Sequence, residues 1–98
     1  MLVYIDRDFQ TIVPNYFENV RNQLYQIKVL LKRHQYKEIE RLAMQLRDSG
    51  HNYGFIRVGD LGRDLIYFCG LESDYKIQEA LEAIERYIAS CEIKYIEI

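Results

Sequence analysis

The feature that most constrains this chain is the spacing of its apolar residues, which recur at every third or fourth position in four separate segments. The first segment carries this spacing at Phe17, Val20, Leu24, Ile27 and Leu31. Residues spaced in this way share one face of an α-helix. The only proline of the chain, Pro14, falls in the first turn of this helix, where a missing N–H costs nothing. The spacing therefore predicts an all-α fold.

The three later segments carry the same pattern and end at residues that suit helix ends. The second helix should begin near Tyr36 and end at Asn52–Gly54, because Asn and Gly adopt the left-handed conformation of a helix C-terminus most easily. The third helix should end at Gly70, and the fourth should begin at Ser73, a favourable N-cap. The expected inner-face residues are Ile39, Leu42, Leu46, Ser49 and Tyr53, then Val58, Leu61, Leu65, Phe68 and Cys69, then Ile77, Leu81, Ile84, Ile88 and Cys91.

Short connections between these segments determine the expected topology. Helices joined by only a few residues must be antiparallel neighbours. The sequence thus predicts an up-down-up-down four-helix bundle that occupies residues 1–98 as a single domain. Gly59 and Gly62 lie inside the third helix, where each is less favourable than Ala by up to about 1 kcal/mol. We expect these two glycines to permit close packing of helices.

The two chain ends differ from the helical segments. Asp6 to Gln10 should form a short capping helix with Asp6 as its N-cap. The segments 2–5 and 92–98 are rich in β-branched and aromatic residues, which favour strands. The first long helix should start at the end of the bundle where the last one finishes. The two ends are therefore expected to pair as a small antiparallel ribbon, with frayed tails as the alternative.

The charge and hydropathy of the chain exclude several classes of function. A net charge of −2, with no extended cluster of Lys and Arg, is unlike a nucleic-acid-binding domain. No apolar run approaches the roughly 18 residues that cross a bilayer, and the N-terminal segment lacks the basic region of a signal peptide. We expect a cytoplasmic protein that binds neither nucleic acid nor membrane.

The reactive residues do not form a recognisable catalytic or metal-binding pattern. Cys69 and Cys91 lack metal-ligand spacing and should be free thiols. The bundle topology would place them more than about 20 Å apart, too far for a disulfide. No Ser/His/Asp set, paired-carboxylate site or glycine-rich phosphate loop occurs. The sequence predicts no enzyme activity, no metal and no cofactor.

One segment resembles a known family. Leu46, Ser49, Gly50 and Tyr53-Gly54-Phe55 match the pattern His-x-Leu-Lys-Gly-Ser-Gly-x-x-Tyr-Gly-Phe of histidine-phosphotransfer domains, with Arg47 in place of the lysine. The resemblance extends to Ile12-Val13-Pro14 and Asp60-Leu61-Gly62 and covers nearly the whole chain. Three residues depart from the family: Met44 replaces the phospho-accepting histidine, Asp48 replaces the glycine four residues later, and His51 stands seven residues later, where the family also has a glycine at a position that this pattern leaves open.

The resemblance implies a signalling module of a two-component phosphorelay. Family members hold the histidine on the solvent face, where the aspartate of a receiver domain delivers its phosphoryl group. A thioether forms no stable phosphoryl adduct, so no phosphotransfer is expected at Met44. The chain is therefore expected to dock a response-regulator receiver domain or a sensor histidine kinase without carrying phosphate. The expected partner-binding residues are Lys37, Glu40, Met44, Gln45, Arg47, Asp48 and His51.

Two alternatives remain open from the sequence. His51 lies two helical turns, about 10 Å, from Met44 and has Arg47 one turn away, which suits a displaced phospho-acceptor. Asp48 argues against that role, because a carboxylate repels an incoming phosphoryl group. The second alternative is a structural bundle that forms a homodimer through the exposed apolar residues Ile66 and Tyr67.

Overall fold

The computed structural model describes residues 1–98 and contains four helices and two short strands. The bounds are β1 Leu2–Asp6, a 3-10 helix Arg7–Phe9, α1 Val13–Lys32, α2 Tyr36–Tyr53, α3 Ile56–Gly70, α4 Asp74–Ser90 and β2 Glu92–Ile96. The helices form the predicted up-down-up-down bundle, which measures 42 by 20 by 18 Å. None of the four helices combines the length and apolar content that a membrane span requires.

The helix ends lie where the local sequence chemistry predicts. Pro14 occupies the first turn of α1. Gly54 ends α2 with a φ of 89°, in the left-handed region that suits glycine. Ser73 caps α4, and its side chain accepts a hydrogen bond from the Lys76 N–H at 3.4 Å. The Asp6 side chain likewise accepts from the Asp8 N–H at 3.0 Å, so the predicted capping helix is confirmed as one 3-10 turn.

The core is a single cluster of buried apolar residues between the helices. It contains no buried polar or charged residue. Most predicted inner-face residues are fully buried, but six are only partly buried: Phe17, Leu31, Ser49, Tyr53, Phe68 and Cys91. In the first turns of α1, Val13 and Tyr16 enter the core instead, and Phe17 packs against Phe55 with ring centroids 5.0 Å apart.

Glycines bring α2 and α3 into unusually close contact. A Cβ atom on Gly62 would lie 2.6 Å from the Arg47 backbone nitrogen, and one on Gly50 would lie 2.5 Å from the Gly59 nitrogen. Real side chains do not approach backbone atoms this closely. The predicted role of Gly59 and Gly62 in close packing is therefore confirmed, and Gly50 contributes from the opposite helix.

The chain ends pair, but the predicted antiparallel direction is wrong. The strands are parallel, with Leu2 opposite Glu92 and Asp6 opposite Ile96. Both start at the end of α4: the Met1 ammonium donates to the Ser90 carbonyl at 3.0 Å, and the Glu92 N–H donates to the Met1 carbonyl at 2.7 Å. The strands therefore run in one direction, and the 3-10 helix with the turn after it returns the chain to α1.

The cysteines agree with the predicted topology. Cys69 is buried near the end of α3, Cys91 is partly buried just after α4, and both are free thiols. The expectation that no disulfide joins them is confirmed.

The glycine contact leads to a test of stability. We expect Gly62→Ala to lower the free energy of unfolding by about 2 kcal/mol or more, because the new methyl group meets backbone that no rotamer change can move. Gly70→Ala is the matched control, since no atom lies within 4 Å of its Cβ position. That variant should be unchanged or more stable by up to about 1 kcal/mol. Urea unfolding followed by circular dichroism measures both, and equal effects would contradict the close contact.

Candidate functional site

The predicted partner-binding residues of α2 lie mainly on one exposed side of the helix. Met44 is 38% exposed, and Asp48 and His51 follow it along the outer surface. Arg47 lies on the border with α3, and its Nε is 2.8 Å from the Asp48 carboxylate. We call these four residues the Met44 face. They place a flexible apolar side chain beside a cation, a carboxylate and an imidazole.

His51 connects the Met44 face to α3. Its Nε2 lies 3.1 Å from Oδ1 of Asp60, and the same carboxylate oxygen lies 3.8 Å from the Arg63 guanidinium. The imidazole ring lies directly over Gly59, where a Cβ atom would come within 2.1 Å of it. The sequence analysis missed this contact. Its only signal in the sequence was a glycine that follows the histidine by eight residues, across a short turn.

The contact with Asp60 determines what His51 can do chemically. When Nε2 carries the proton, it donates to Asp60 and leaves a lone pair on Nδ1. A phosphoryl group on this conformer would therefore have to form on Nδ1. Asp60 and Asp48, which lies one helical turn before His51, would repel the negative oxygens of the phosphoryl group, whereas Arg47 and Arg63 would attract them.

The other three predicted residues lie away from the Met44 face. Gln45 is on the opposite edge of α2, where its Oε1 accepts a hydrogen bond from Gln23 Nε2 of α1 at 2.9 Å. Glu40 is partly buried and, with Lys37, borders a separate cavity at one end of the bundle. The seven predicted residues therefore do not form a single stripe, because about 100° of rotation per residue carries Gln45 to the α1 side.

The cavity at the bundle end contains several titratable groups. It has a volume of about 360 Å³ and is lined by His34, Gln35, Tyr36, Lys37, Glu40, Cys69, Gly70 and Glu72. The Tyr36 hydroxyl donates to Asp74, and this hydrogen bond raises the pKa of Tyr36 to about 12. Burial raises the pKa of the Cys69 thiol to about 11. Cys69 is therefore a protonated thiol at neutral pH and a poor nucleophile.

A second surface feature lies in the groove between α1 and α2. Its volume is about 220 Å³, and it is lined by Ile12, Asn15, Tyr16, Asn19, Gln23, Gln45, Ser49 and Tyr53. We call it the amide groove. None of these residues is charged, although 29% of the residues in the whole chain are charged. The sequence analysis missed this groove. Its signal was the spacing of four residues between Asn15, Asn19 and Gln23, which places these side chains on one face of α1.

The Tyr16 hydroxyl is the unusual group of the amide groove. The hydroxyl is buried, and it meets the Ser49 side chain in a geometry that falls short of a well-formed hydrogen bond. Burial raises the pKa of Tyr16 to about 12, while the neighbouring Ser49 side chain acts to lower it. The Ser49 hydroxyl itself donates to the Leu46 carbonyl at 3.5 Å, which leaves its oxygen free to accept from Tyr16. A buried hydroxyl with a poorly aligned hydrogen bond adds little to the stability of the fold.

The apolar strip predicted on α3 is smaller than its sequence suggests. Tyr67 is 64% exposed and its ring lies edge-on to Phe68, with centroids 5.9 Å apart. Ile66 is partly buried against the core. A single exposed aromatic residue is common on the surface of a monomeric protein. A homodimer through this strip stays a prediction.

Comparisons of the chain with protein-family models, with curated proteins and with solved structures found no match. The resemblance to histidine-phosphotransfer domains therefore stays a prediction that rests on residues 41–55 and on the segments around them.

Removal of the Tyr16 hydroxyl tests the description of the amide groove. We expect Tyr16→Phe to raise the free energy of unfolding at neutral pH by up to about 1 kcal/mol, because it removes a buried hydroxyl whose contact with Ser49 is poorly aligned. Tyr25→Phe, in which the lost hydroxyl is exposed, should change stability less. Urea unfolding measures both variants, and a loss of stability in Tyr16→Phe would show that the contact with Ser49 is a well-formed hydrogen bond.

Tyr16→Phe should also change how the free energy of unfolding depends on pH above pH 10. Unfolded Tyr16 ionises at its ordinary pKa of 10.0, whereas the folded protein holds the proton up to a pKa of about 12. Between these values deprotonation favours the unfolded chain, so wild-type stability falls as the pH rises. Tyr16→Phe lacks this contribution and should lose less stability between pH 10 and 12.

Proposed function

We propose that this chain is a docking module for a partner in phosphorelay signalling, a response-regulator receiver domain or a sensor histidine kinase. The Met44 face binds the partner, and no phosphoryl group is transferred to residue 44. The observation that carries the proposal is the exposed Met44 beside the polar residues Arg47, Asp48 and His51 of α2. This is the position at which the family resemblance expects the phospho-accepting histidine.

The surroundings of Met44 suit contact with a protein. A methionine side chain is flexible and polarisable, and it adapts to differently shaped partners. The ion pairs of Arg47 with Asp48 and of His51 with Asp60 are partly exposed, and such pairs each contribute only about 0–1 kcal/mol. Both pairs can therefore be exchanged for contacts with a partner at little cost to the fold.

The size of the bundle supports the proposal as well. A standard protein interface buries roughly 800 Å² on each partner. The long side of the bundle measures 42 by 20 Å, which is enough for one such interface. On a docked receiver domain, the acidic phosphorylation site would face Met44. Arg47 would lie one helical turn away and could bind a phosphoryl group that stays on the receiver.

The docking proposal is tested by placing a negative charge at residue 44. Met44→Glu puts a carboxylate against the acidic site of the receiver, and we expect its affinity to fall by about tenfold or more. Val29→Glu on α1 is the matched control, because Val29 is 37% exposed and Met44 is 38% exposed. Calorimetric titration of receiver and kinase domains from the same genome measures both variants.

The outcomes of this titration are distinct. Loss of binding in Met44→Glu, with binding retained in Val29→Glu, supports the Met44 face. Equal binding by the two variants contradicts the proposed surface. Absence of binding by the wild-type chain to every receiver and kinase domain contradicts the docking function itself.

A second candidate is a phosphocarrier that uses His51. The hydrogen bond from His51 to Asp60 favours it, because a carboxylate that orients an imidazole also makes the other ring nitrogen a better nucleophile. In this reaction Nδ1 attacks the phosphorus of an aspartyl phosphate, the P–O bond to the aspartate breaks, and the aspartate leaves as a carboxylate. The neighbouring carboxylates Asp48 and Asp60 oppose the transfer, so we place this candidate second.

Intact-mass analysis after incubation with a phosphorylated receiver distinguishes the two candidates. The docking proposal predicts an unchanged mass. The chain has only two histidines, so His34→Gln is the natural control for His51→Gln. An acid-labile adduct that persists in His34→Gln and is lost in His51→Gln would replace the docking proposal with a phosphocarrier.

A further inference from the structure

We propose that the free edge of β2 pairs with β2 of a second copy of this chain, in the antiparallel direction. The pairing joins the two terminal sheets into one four-stranded sheet and makes the protein a twofold dimer. It uses the backbone of Ile93 and Tyr95 and the opposite charges of Glu92 and Lys94. Neither strand contributes a residue to the Met44 face, so the inference is independent of the docking proposal.

The hydrogen bonds between β1 and β2 determine which backbone groups remain at the free edge of β2. The two strands are parallel, and the Glu92 N–H donates to the Met1 carbonyl at 2.7 Å. In a parallel ladder, only alternate residues of a strand bond to the neighbouring strand. Glu92 and Lys94 therefore bond to β1, whereas the N–H and C=O groups of Ile93 and Tyr95 point to the other side.

These edge groups have no partner within the protein. The backbone of Ile93 and Tyr95 forms no hydrogen bond with a turn, a loop or a helix end. A row of unpaired N–H and C=O groups is a template for another strand. The sheet has only two strands, and a pair of strands is by itself marginally stable in water. The strands of a second copy would satisfy the edge groups and extend the sheet.

The charged side chains of β2 determine the register of the pair. Glu92 and Lys94 are both exposed, and neither forms an ion pair within the protein. In an antiparallel pair centred on Ile93, Glu92 of each copy lies directly opposite Lys94 of the other. These are non-hydrogen-bonded positions, where opposite side chains approach most closely. In this register the edge of β2 is therefore complementary in charge to itself.

Other arrangements of two copies lack this complementarity. A pair centred on Lys94 would place the two lysines directly opposite each other, which is unfavourable. A pair centred on Tyr95 would place Lys94 opposite Ile96 and leave the lysine without a partner. The strand β1 contains no basic residue, so its own free edge cannot form reciprocal ion pairs. Charge therefore favours the edge of β2 and the register centred on Ile93.

The inner face of the sheet favours the same register. Ile93 is partly buried against the core of its own bundle, and the register places it opposite Ile93 of the second copy. Apolar cross-strand pairs of this kind stabilise antiparallel ladders. Because both copies use the same patch, the contact closes as a dimer instead of extending into a fibre. The edge of one short strand is smaller than the roughly 800 Å² of a standard interface, so we expect a weak dimer.

Sedimentation equilibrium of the full chain, from low micromolar to millimolar concentration, tests the proposal. We expect a reversible equilibrium between monomer and dimer. Lys94→Glu places like charges opposite each other at two positions and should weaken the dimer by about tenfold or more. The double variant Glu92→Lys/Lys94→Glu restores both ion pairs and should return the dissociation constant to within about threefold of the wild-type value. Lys32→Glu is the matched control, because it makes the same charge change at an exposed residue of α1.

Amide hydrogen exchange followed by NMR identifies the edge that pairs. At millimolar concentration we expect the exchange of the Ile93 and Tyr95 amides to slow, because each donates to the second copy. The amides of Leu2 and Tyr4 lie at the free edge of β1 and should exchange rapidly at every concentration. Circular dichroism checks that the three variants keep the helical fold.

Four results would overturn the proposal. The first is a monomer at every concentration. The second is equal dimerisation by Lys94→Glu and Lys32→Glu, which would move the interface to another surface, such as the strip of Ile66 and Tyr67. The third is a double variant that dimerises no better than Lys94→Glu, which would exclude the reciprocal ion pairs. The fourth is slowed exchange at the free edge of β1 instead of the free edge of β2.

Discussion

The close contact between α2 and α3 is the constraint on which the rest of the structure depends. Gly50, Gly59 and Gly62 remove the side chains that would otherwise separate the two backbones. One consequence is that the ring of His51 lies over Gly59 and reaches Asp60. The contact therefore sets both the spacing of the bundle and the orientation of the Met44 face. The helix-forming cost of glycine, up to about 1 kcal/mol per residue, is offset by the packing that it permits.

The opposite side of α2 follows a different principle. Its residues meet α1 through long polar side chains, such as the hydrogen-bonded pair Gln23 and Gln45, which leave space between the helices. The chain therefore presents two unlike surfaces on either edge of one helix. The α3 side has charged residues in exchangeable ion pairs, which suits a protein partner. The α1 side is an uncharged groove in which the Tyr16 hydroxyl is buried beside Ser49.

The sequence predicted the helices well because their signals are local. The spacing of apolar residues, the position of Pro14, the N-cap Ser73 and the left-handed Gly54 each act within one or two turns of chain. Of the candidate site, the exposure of Met44 and His51 was predictable from helical geometry alone. The contacts of His51 with Gly59 and Asp60 were not, because they depend on how closely two helices approach. The separation of Gln45 from the Met44 face likewise depends on which helix packs against each edge of α2.

By itself, the sequence determined the all-α class, the helix order, the free thiols and the position of the exposed methionine. These properties depend on periodicity and on preferences of single residues, which a linear chain carries directly. Only the tertiary structure decided the parallel direction of the terminal strands, since both strands begin beside Ser90 and the turn before α1 reverses the chain. It also decided the glycine contact and the amide groove. Each of these joins residues far apart in the chain, and side-chain volume across an interface decides whether such residues meet.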